Sequence, residues 1–540
     1  MKFLKNITIS FSILVFSLTN ISATEIQVPG NQPNALANAI TGATTGDILL
    51  LEAGKAYPNE GKLVIDKELT IKAVGTIDKA TDKARIVQIP NQSGDRSSQT
   101  VELQASVTFI NIYFDGRRTI AGSDIQLLRS EQPGISIVID SCIFDRSEQT
   151  AIRLNKSTDR FILTNSIFLN MAHGTVSEGR GVDLREGPHK YVMIQNNTFT
   201  NAEDRYIRHL KWGQNLCPAV DTLIVDHNTF NQGLGYRPNF QFSSVKHLQF
   251  TNNLIINPAM LGTDSLSNRV GEITWMAPEA VTYLGPNAIT IFNISEAATY
   301  NTEIIMKNNN VWIDPSVTDI LNTTDKVEPA PLFNNEMKAV LGADTATATF
   351  SDPVTFTMPG DLHLEFVQQY RDMIDTVTVP GQEINPNAAL NAQNKYFYLN
   401  FGVDTLDLSY NTDAASYTAA DNGFPLGDLN WFPDKKNEWI TGISEKSVSG
   451  NLPKEFSLSQ NYPNPFNPST KISFNIPKSG NVRLSVYNVL GQEVSVLVNE
   501  RLNAGIYEYK FNAANLTSGL YFYKLESEGQ VQIKKMMLIK

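Results

Sequence analysis

The sequence predicts an all-β chain, a right-handed parallel β-helix followed by a small antiparallel Ig-like β-sandwich. Three observations carry this. A short phrase, apolar-x-apolar then a polar pair then a bulky apolar residue, keeps returning between Val107 and Asp314. Its copies are VTFINIYF (Val107–Phe114), IVIDSCIF (Ile137–Phe144), FILTNSIF (Phe161–Phe168), VMIQNNTF (Val192–Phe199), LIVDHNTF (Leu223–Phe230), LQFTNNLI (Leu248–Ile255) and IIMKNNNV (Ile304–Val311). The gaps between closing residues, 30, 24, 31, 31 and 25 from Phe114 to Ile255, are those of a stacked array. The last stretch, from Leu458, instead alternates cleanly as Ile472, Phe474 and then Val482, Leu484, Val486, with turns at Lys478-Ser479-Gly480, Asn503-Ala504-Gly505 and Thr517-Ser518-Gly519.

Alternation inside each phrase has strand period, and neither a Leu-rich nor a helical repeat is present. One strand per coil, an Asn corner and an inward Phe fit parallel coils about 4.8 Å apart. Asn165, Asn196, Asn252 and Asn308 then form one column, and Asn197, Asn228, Asn253 and Asn309 another, with amides satisfied along the stack. These columns read as architecture. Cys142 falls in the same corner and reads as a buried thiol.

In chain order, residues 1–23 have Lys2 and Lys5, an apolar run from Ile7 to Leu18 and small residues ending at Ala23, the pattern of a secretory signal peptide. No other run is long enough to span a membrane. Residues 24–436 are assigned to the β-helix domain, with an N-terminal cap over 24–75 and an irregular tail over about 315–436. The cap reads as a short helix through Leu36 and Ile40, a Gly46-Asp47 turn and a strand at Ile48–Leu51. A solenoid needs such a cover over its open end. Ala288–Asn293 reads as a further strand. Ser416–Pro433, rich in aromatics, Gly and Pro, is expected to pack on the solenoid. A linker over 437–457 leads to the domain at 458–540.

Composition restricts function. There are 44 basic and 55 acidic residues, net −11, which argues against nucleic acid as a partner. Two cysteines make no disulfide framework. The longest insertions, Met171–Lys190, Ala202–Asp221 and Gln232–Val245, are where a groove wall would rise. The first two hold Glu178, Arg180, Asp183, Arg185, Glu186, His189, Lys190, Glu203, Asp204, Arg205, Arg208, His209 and Lys211. The plain reading of such charge is a polar loop surface. The alternative is a site for an acidic polymer.

Two resemblances sharpen this. The cap order resembles that of pectate-lyase-like (pectin lyase-like) β-helices. Lys156-Ser157-Thr158-Asp159-Arg160, then Asn165 and Asn170, then Leu184-Arg185-Glu186-Gly187 resembles the Lys-Ser…Asn…Asn…Arg-His-Gly pattern of the chondroitinase B and alginate lyase family. That resemblance implies a polysaccharide lyase cleaving a uronate polymer (alginate, pectin or glycosaminoglycan) by β-elimination, with Lys156 as base and Arg185 as its partner. Taking a proton next to a carboxylate asks a lysine to work as a neutral amine, below its usual pKa of about 10.4. A neighbouring arginine favours that form and stabilises the enolate-like charge. Arg153, Arg180, His189, Lys190, Arg205, Arg208 and His209 are the expected substrate-binding residues.

The family's two acidic calcium ligands correspond here to Gln149 and Ala151, and Glu186 follows the arginine where the family has His. No metal and no cofactor are therefore expected, calcium being the alternative, and Arg180, Arg153 or Lys190 would neutralise the substrate carboxylate. Other readings are a noncatalytic glycan-binding or cell-surface β-helix protein, and a β-helix glycoside hydrolase needing two spaced carboxylates. Finally, Tyr462-Pro463-Asn464-Pro465-Phe466-Asn467-Pro468, Tyr487-Asn488 with Leu490-Gly491, Gly505-Ile506-Tyr507, Ser518-Gly519-Leu520-Tyr521 and the terminal KKMMLIK resemble the sorting domain of type IX (Por-type) secretion substrates. This implies passage through the periplasm, the type IX machinery as partner, and a secreted or cell-surface location.

Overall fold

The structure is a computed structural model. It describes residues 23–441 and 456–539 apart from several internal stretches, the longest being 117–124, 172–177, 211–217, 265–289 and 373–401. The expected signal peptide and most of the expected linker lie outside the described residues.

Strands from Glu25 to Trp312 build three parallel sheets, of ten, nine and eight strands, here sheets I, II and III in the order a coil visits them. One coil shows the path: Ile135–Asp140 in sheet I, Ile143–Asp145 in sheet II, Thr150–Leu154 in sheet III, then Thr158–Thr164 back in sheet I. This is the parallel β-helix expected from the repeat. The recurring phrase spans the sheet I strand, the corner and the start of sheet II.

Both Asn columns stack as expected, for different reasons. Asn165, Asn196, Asn252 and Asn308 sit at the corner with φ between 53° and 59°, the left-handed region that Asn tolerates best among residues with a side chain. His227 takes the same conformation at the intervening coil. The second column is a hydrogen-bond relay. The backbone N–H of Asn197 donates to Asn228 Oδ1 (3.0 Å), that of Asn228 to Asn253 Oδ1 (2.9 Å) and that of Asn253 to Asn309 Oδ1 (3.1 Å). Towards the N-terminus the relay continues through Ser166, whose N–H donates to Asn197 Oδ1, and Cys142, whose N–H donates to Ser166 Oγ. The buried Cys142 thiol is the last member, accepting from the Ile112 N–H.

The Phe column is continuous core. Ring centroids are 4.8 Å apart from Phe114 to Phe144, 4.6 Å to Phe168, 4.4 Å to Phe199 and 5.0 Å to Phe230, all buried. Helix Ala35–Gly42 places Leu36 and Ile40 on the same core. Strands Glu25–Val28 and Ile48–Glu52 already pair in sheet I. The segment read from Ala288 supplies a sheet III strand, Phe292–Ile294.

The tail after Trp312 covers sheet II. Asp428 accepts a hydrogen bond from Thr198 Oγ1 (2.7 Å), and its N–H donates to Thr229 Oγ1 (2.9 Å). Trp431 Nε1 donates to Thr198 Oγ1.

The C-terminal stretch forms two antiparallel sheets of three and four strands around its own core of Phe474, Leu484, Tyr509, Tyr523 and Leu525. Among the described residues no helix is long and apolar enough to cross a membrane.

Candidate functional site

Sheet III carries a charged outer ladder. Strand register sets Glu102, Arg129, Arg153, Asp183, Arg208 and Gln241 side by side on successive coils. The neighbouring position along each strand holds Leu103, Ser130, Leu154, Leu184, His209 and Phe242, which point into the core. Alternation therefore decides which sequence candidates face outwards.

Arg208 grips Asp183 with both edges of its fork, Nε to Oδ1 at 2.9 Å and Nη2 to Oδ2 at 2.5 Å. Nearer the corner with sheet II, Asp204 Oδ2 accepts from Arg180 Nε and Arg205 Nη1, both at 2.7 Å, and Arg237 Nη1 lies 3.7 Å away. Arg180 also meets Glu178 at 2.5 Å. All of these except the partly exposed Glu178 are buried. Burial alone would raise the carboxyl pKa of Asp183 and Asp204, but the surrounding arginines outweigh it and hold both below the usual range. Neither carboxyl is then suited to act as the protonated general acid that a two-carboxylate glycosidase needs.

Arg153 differs. Its Nε donates to Asn155 Oδ1 and its Nη1 to Gln149 Oε1, both at 3.0 Å. Gln149 Oε1 also accepts from Gln126 Nε2, and Asn155 Nδ2 donates to Glu131 Oε1 at 3.1 Å.

At the other edge of sheet III the chain turns back into sheet I, and here the backbone turns that carry Lys156 and Arg185 lie on adjacent coils. Leu154 is in register with Leu184, so Asn155–Ser157 leaves its strand beside Arg185 and Gly187 of the next coil. Gly187 seals the contact: a Cβ on it would stand 2.2 Å from the Ser157 nitrogen and 2.5 Å from the Lys156 carbonyl carbon. No side chain fits there. Lys156 is exposed and makes no hydrogen bond or ion pair among the described residues, while Arg185 is buried. Glu186 lies outside the described residues.

Three expected binding residues are elsewhere. His189 and His209 are core residues, their rings 6.2 Å apart and both fully buried. His189 Nδ1 is 2.9 Å from Thr158 Oγ1. Burial pulls the pKa of His189 down to about 3 and of His209 to about 4, so both are neutral packing groups and neither can touch a polymer on the outer face. Lys190 has turned the corner into sheet I, where its Nζ pairs with Asp159 at 2.8 Å. Arg205, Arg208 and Arg180 do belong to the sheet III cluster. Arg129, Gln126, Asn155 and Arg237 belong to it as well and were not among the sequence candidates. Aligning the third strand of each coil would have found Arg129, but that strand lacks the recurring phrase.

Residues 460–540 match the family model described as the secretion system C-terminal sorting domain. No curated protein matches the chain. Among solved structures, the chain is similar to AlyGC, an alginate lyase of the PL6 family, at 16% identity and a TM-score of 0.34, covering 58% of this chain and 40% of that enzyme. The chain thus spans less than half the length of that enzyme. The sorting domain marks the chain for export by the type IX system, to the cell surface or the medium.

Proposed function

We propose that this exported β-helix protein is a polysaccharide lyase that cleaves a uronate polymer by β-elimination at the sheet III edge. The observation that carries the reading is the packing of Gly187 on the Lys156–Ser157 backbone, which fixes the Arg185 turn against the Lys156 turn on adjacent coils. Lys156 offers an exposed amine without a partner among the described residues, and the buried Arg185 supplies a fixed positive charge one coil away. In the reaction the Lys156 amine takes the proton from the carbon bearing the carboxylate. The electrons left behind form the double bond, the neighbouring carbon–oxygen bond breaks, and the leaving oxygen takes a proton from the Lys156 ammonium or from water. Arg185 stabilises the transient enolate-like charge.

The test is ultraviolet absorbance of the unsaturated product across alginate, pectate and glycosaminoglycan. Appearance of product with one of them, lost in Lys156→Ala, supports the reading. Absence with all of them overturns it.

One observation favours a second reading, noncatalytic glycan binding. The Arg208–Asp183 and Arg180–Asp204–Arg205 clusters tie their charges to one another beneath the outer face, which suits a fixed support for binding and not a reacting pair. Retention on an affinity gel of the same polymers, without product, would support that reading instead.

A further inference from the structure

We infer that Arg153 binds the uronate carboxylate directly and thereby sets the preference for acidic over neutral polymer. The inference rests on the site described above and assigns its carboxylate subsite. Three candidates for that role can be separated by what each already holds. Arg180 is committed to Asp204 and Glu178, and Lys190 to Asp159 on another sheet. Arg153 has no carboxylate within ion-pair distance among the described residues, and both hydrogen bonds it makes there go to neutral amides. The carboxylate beside it in the ladder, Asp183, has both oxygens taken by Arg208.

The two amides do not neutralise the guanidinium, but they fix its plane. Asn155 is anchored by Glu131, and Gln149 by Gln126. An arginine held this way loses little further freedom when its remaining N–H groups accept a carboxylate in fork geometry. Arg153 stands in strand Thr150–Leu154 and Lys156 follows two residues beyond its end, so one polymer lying across this edge of sheet III can meet both.

The same contacts do not fit calcium. A calcium ion needs six to eight oxygen ligands. Ala151 offers none from its side chain, and the one side-chain oxygen of Gln149 already accepts from Arg153 and Gln126. A cation there would also face the Arg153 charge. Among the described residues no group of three carboxylates, histidines or cysteines converges.

The test is calorimetric binding of oligosaccharides from alginate, pectate and a glycosaminoglycan to full-length Lys156→Ala protein, each compared with its carboxyl-reduced neutral form. The acidic form is expected to bind roughly tenfold or more tighter, as suits a charge-assisted fork. Adding Arg153→Gln should abolish that difference, Arg153→Lys should restore part of it, and chelator should change nothing. A discrimination that survives Arg153→Gln in a protein with unchanged thermal unfolding, one that vanishes with chelator, or no discrimination in the parent overturns the inference. Binding that discriminates through Arg153 without any unsaturated product from the wild type would leave Arg153 assigned and remove the lyase.

Discussion

Gly187 and Ser157 touch backbone to backbone: a Cβ on the glycine would come within 2.2 Å of the serine nitrogen. Neither backbone can absorb that clash locally, because each leaves a strand already in register. Gly187→Ala is therefore expected to push the Arg185 turn away from Lys156. Elimination should fall on the order of tenfold to a hundredfold, as for other displacements of about an ångström, mainly in kcat. Steady-state kinetics on the active polymer check this, and an unchanged kcat would show that the contact does not position the pair.

Lys156→Ala is expected to abolish product formation while moving stability by no more than about 0.5 kcal/mol, because the side chain is exposed and unpartnered among the described residues. Arg185→Lys should be nearly as damaging to turnover, since it keeps the charge and loses the planar fork. Denaturant melts run beside the kinetics separate the two effects.

Phe199→Ala is expected to cost roughly 3–5 kcal/mol, since it opens a gap in the middle of a ring stack with neighbours at 4.4 and 5.0 Å. Urea unfolding of the variant measures it, and a cost below about 1 kcal/mol would mean that the column can collapse around the missing ring.

The two core histidines predict an acid-side loss of stability. Their folded pKa values, about 3 for His189 and about 4 for His209, lie below the unfolded value near 6.5. The unfolded chain then binds more protons between pH 6.5 and 4, so their contribution is present above pH 6.5 and is lost as pH falls through that window. For His209 the shift amounts to on the order of 3 kcal/mol. His209→Gln should flatten the wild-type slope there, read as the difference between the two unfolding curves. That difference isolates the imidazole from groups of opposite sign such as Asp428, whose pKa burial raises to about 6.

Deleting Leu458–Lys540 is expected to leave the β-helix folded, because that stretch is built around a core of its own. In a host with the type IX system the truncated protein should stay in the periplasm. Its appearance in the medium would show that the sorting domain is dispensable.

Sheets I and II were legible in the sequence because one phrase writes both of them and the corner between them. Asn at the corner is favoured by backbone conformation, and Phe beyond it by the core, so these residues recur and can be counted. Sheet III has no such demand. Its corners vary in length, its outer ladder mixes Arg, Asp and Gln, and only hydrogen-bond register reveals that Arg153, Asp183 and Arg208 are neighbours. The adjacency of the Lys156 and Arg185 turns is what the family resemblance implies, and no spacing in the chain alone predicts it. The roles expected of His189 and His209 did not survive, because a charged, histidine-bearing insertion looks the same in sequence whether a given residue points out or in. One residue of phase decides it.

The relay through Asn197, Asn228, Asn253 and Asn309 runs in one direction only, each backbone N–H answered by a side-chain oxygen of the following coil. A stack interrupted partway therefore has unlike ends. At its C-terminal end the column leaves one N–H awaiting an acceptor, and at its N-terminal end one side-chain oxygen with nothing to accept. Two half-built chains cannot dock through like ends on this column and would join only head to tail, in the manner that makes open filaments. Helix Ala35–Gly42, packed on the first coils, denies such a filament one of its two faces.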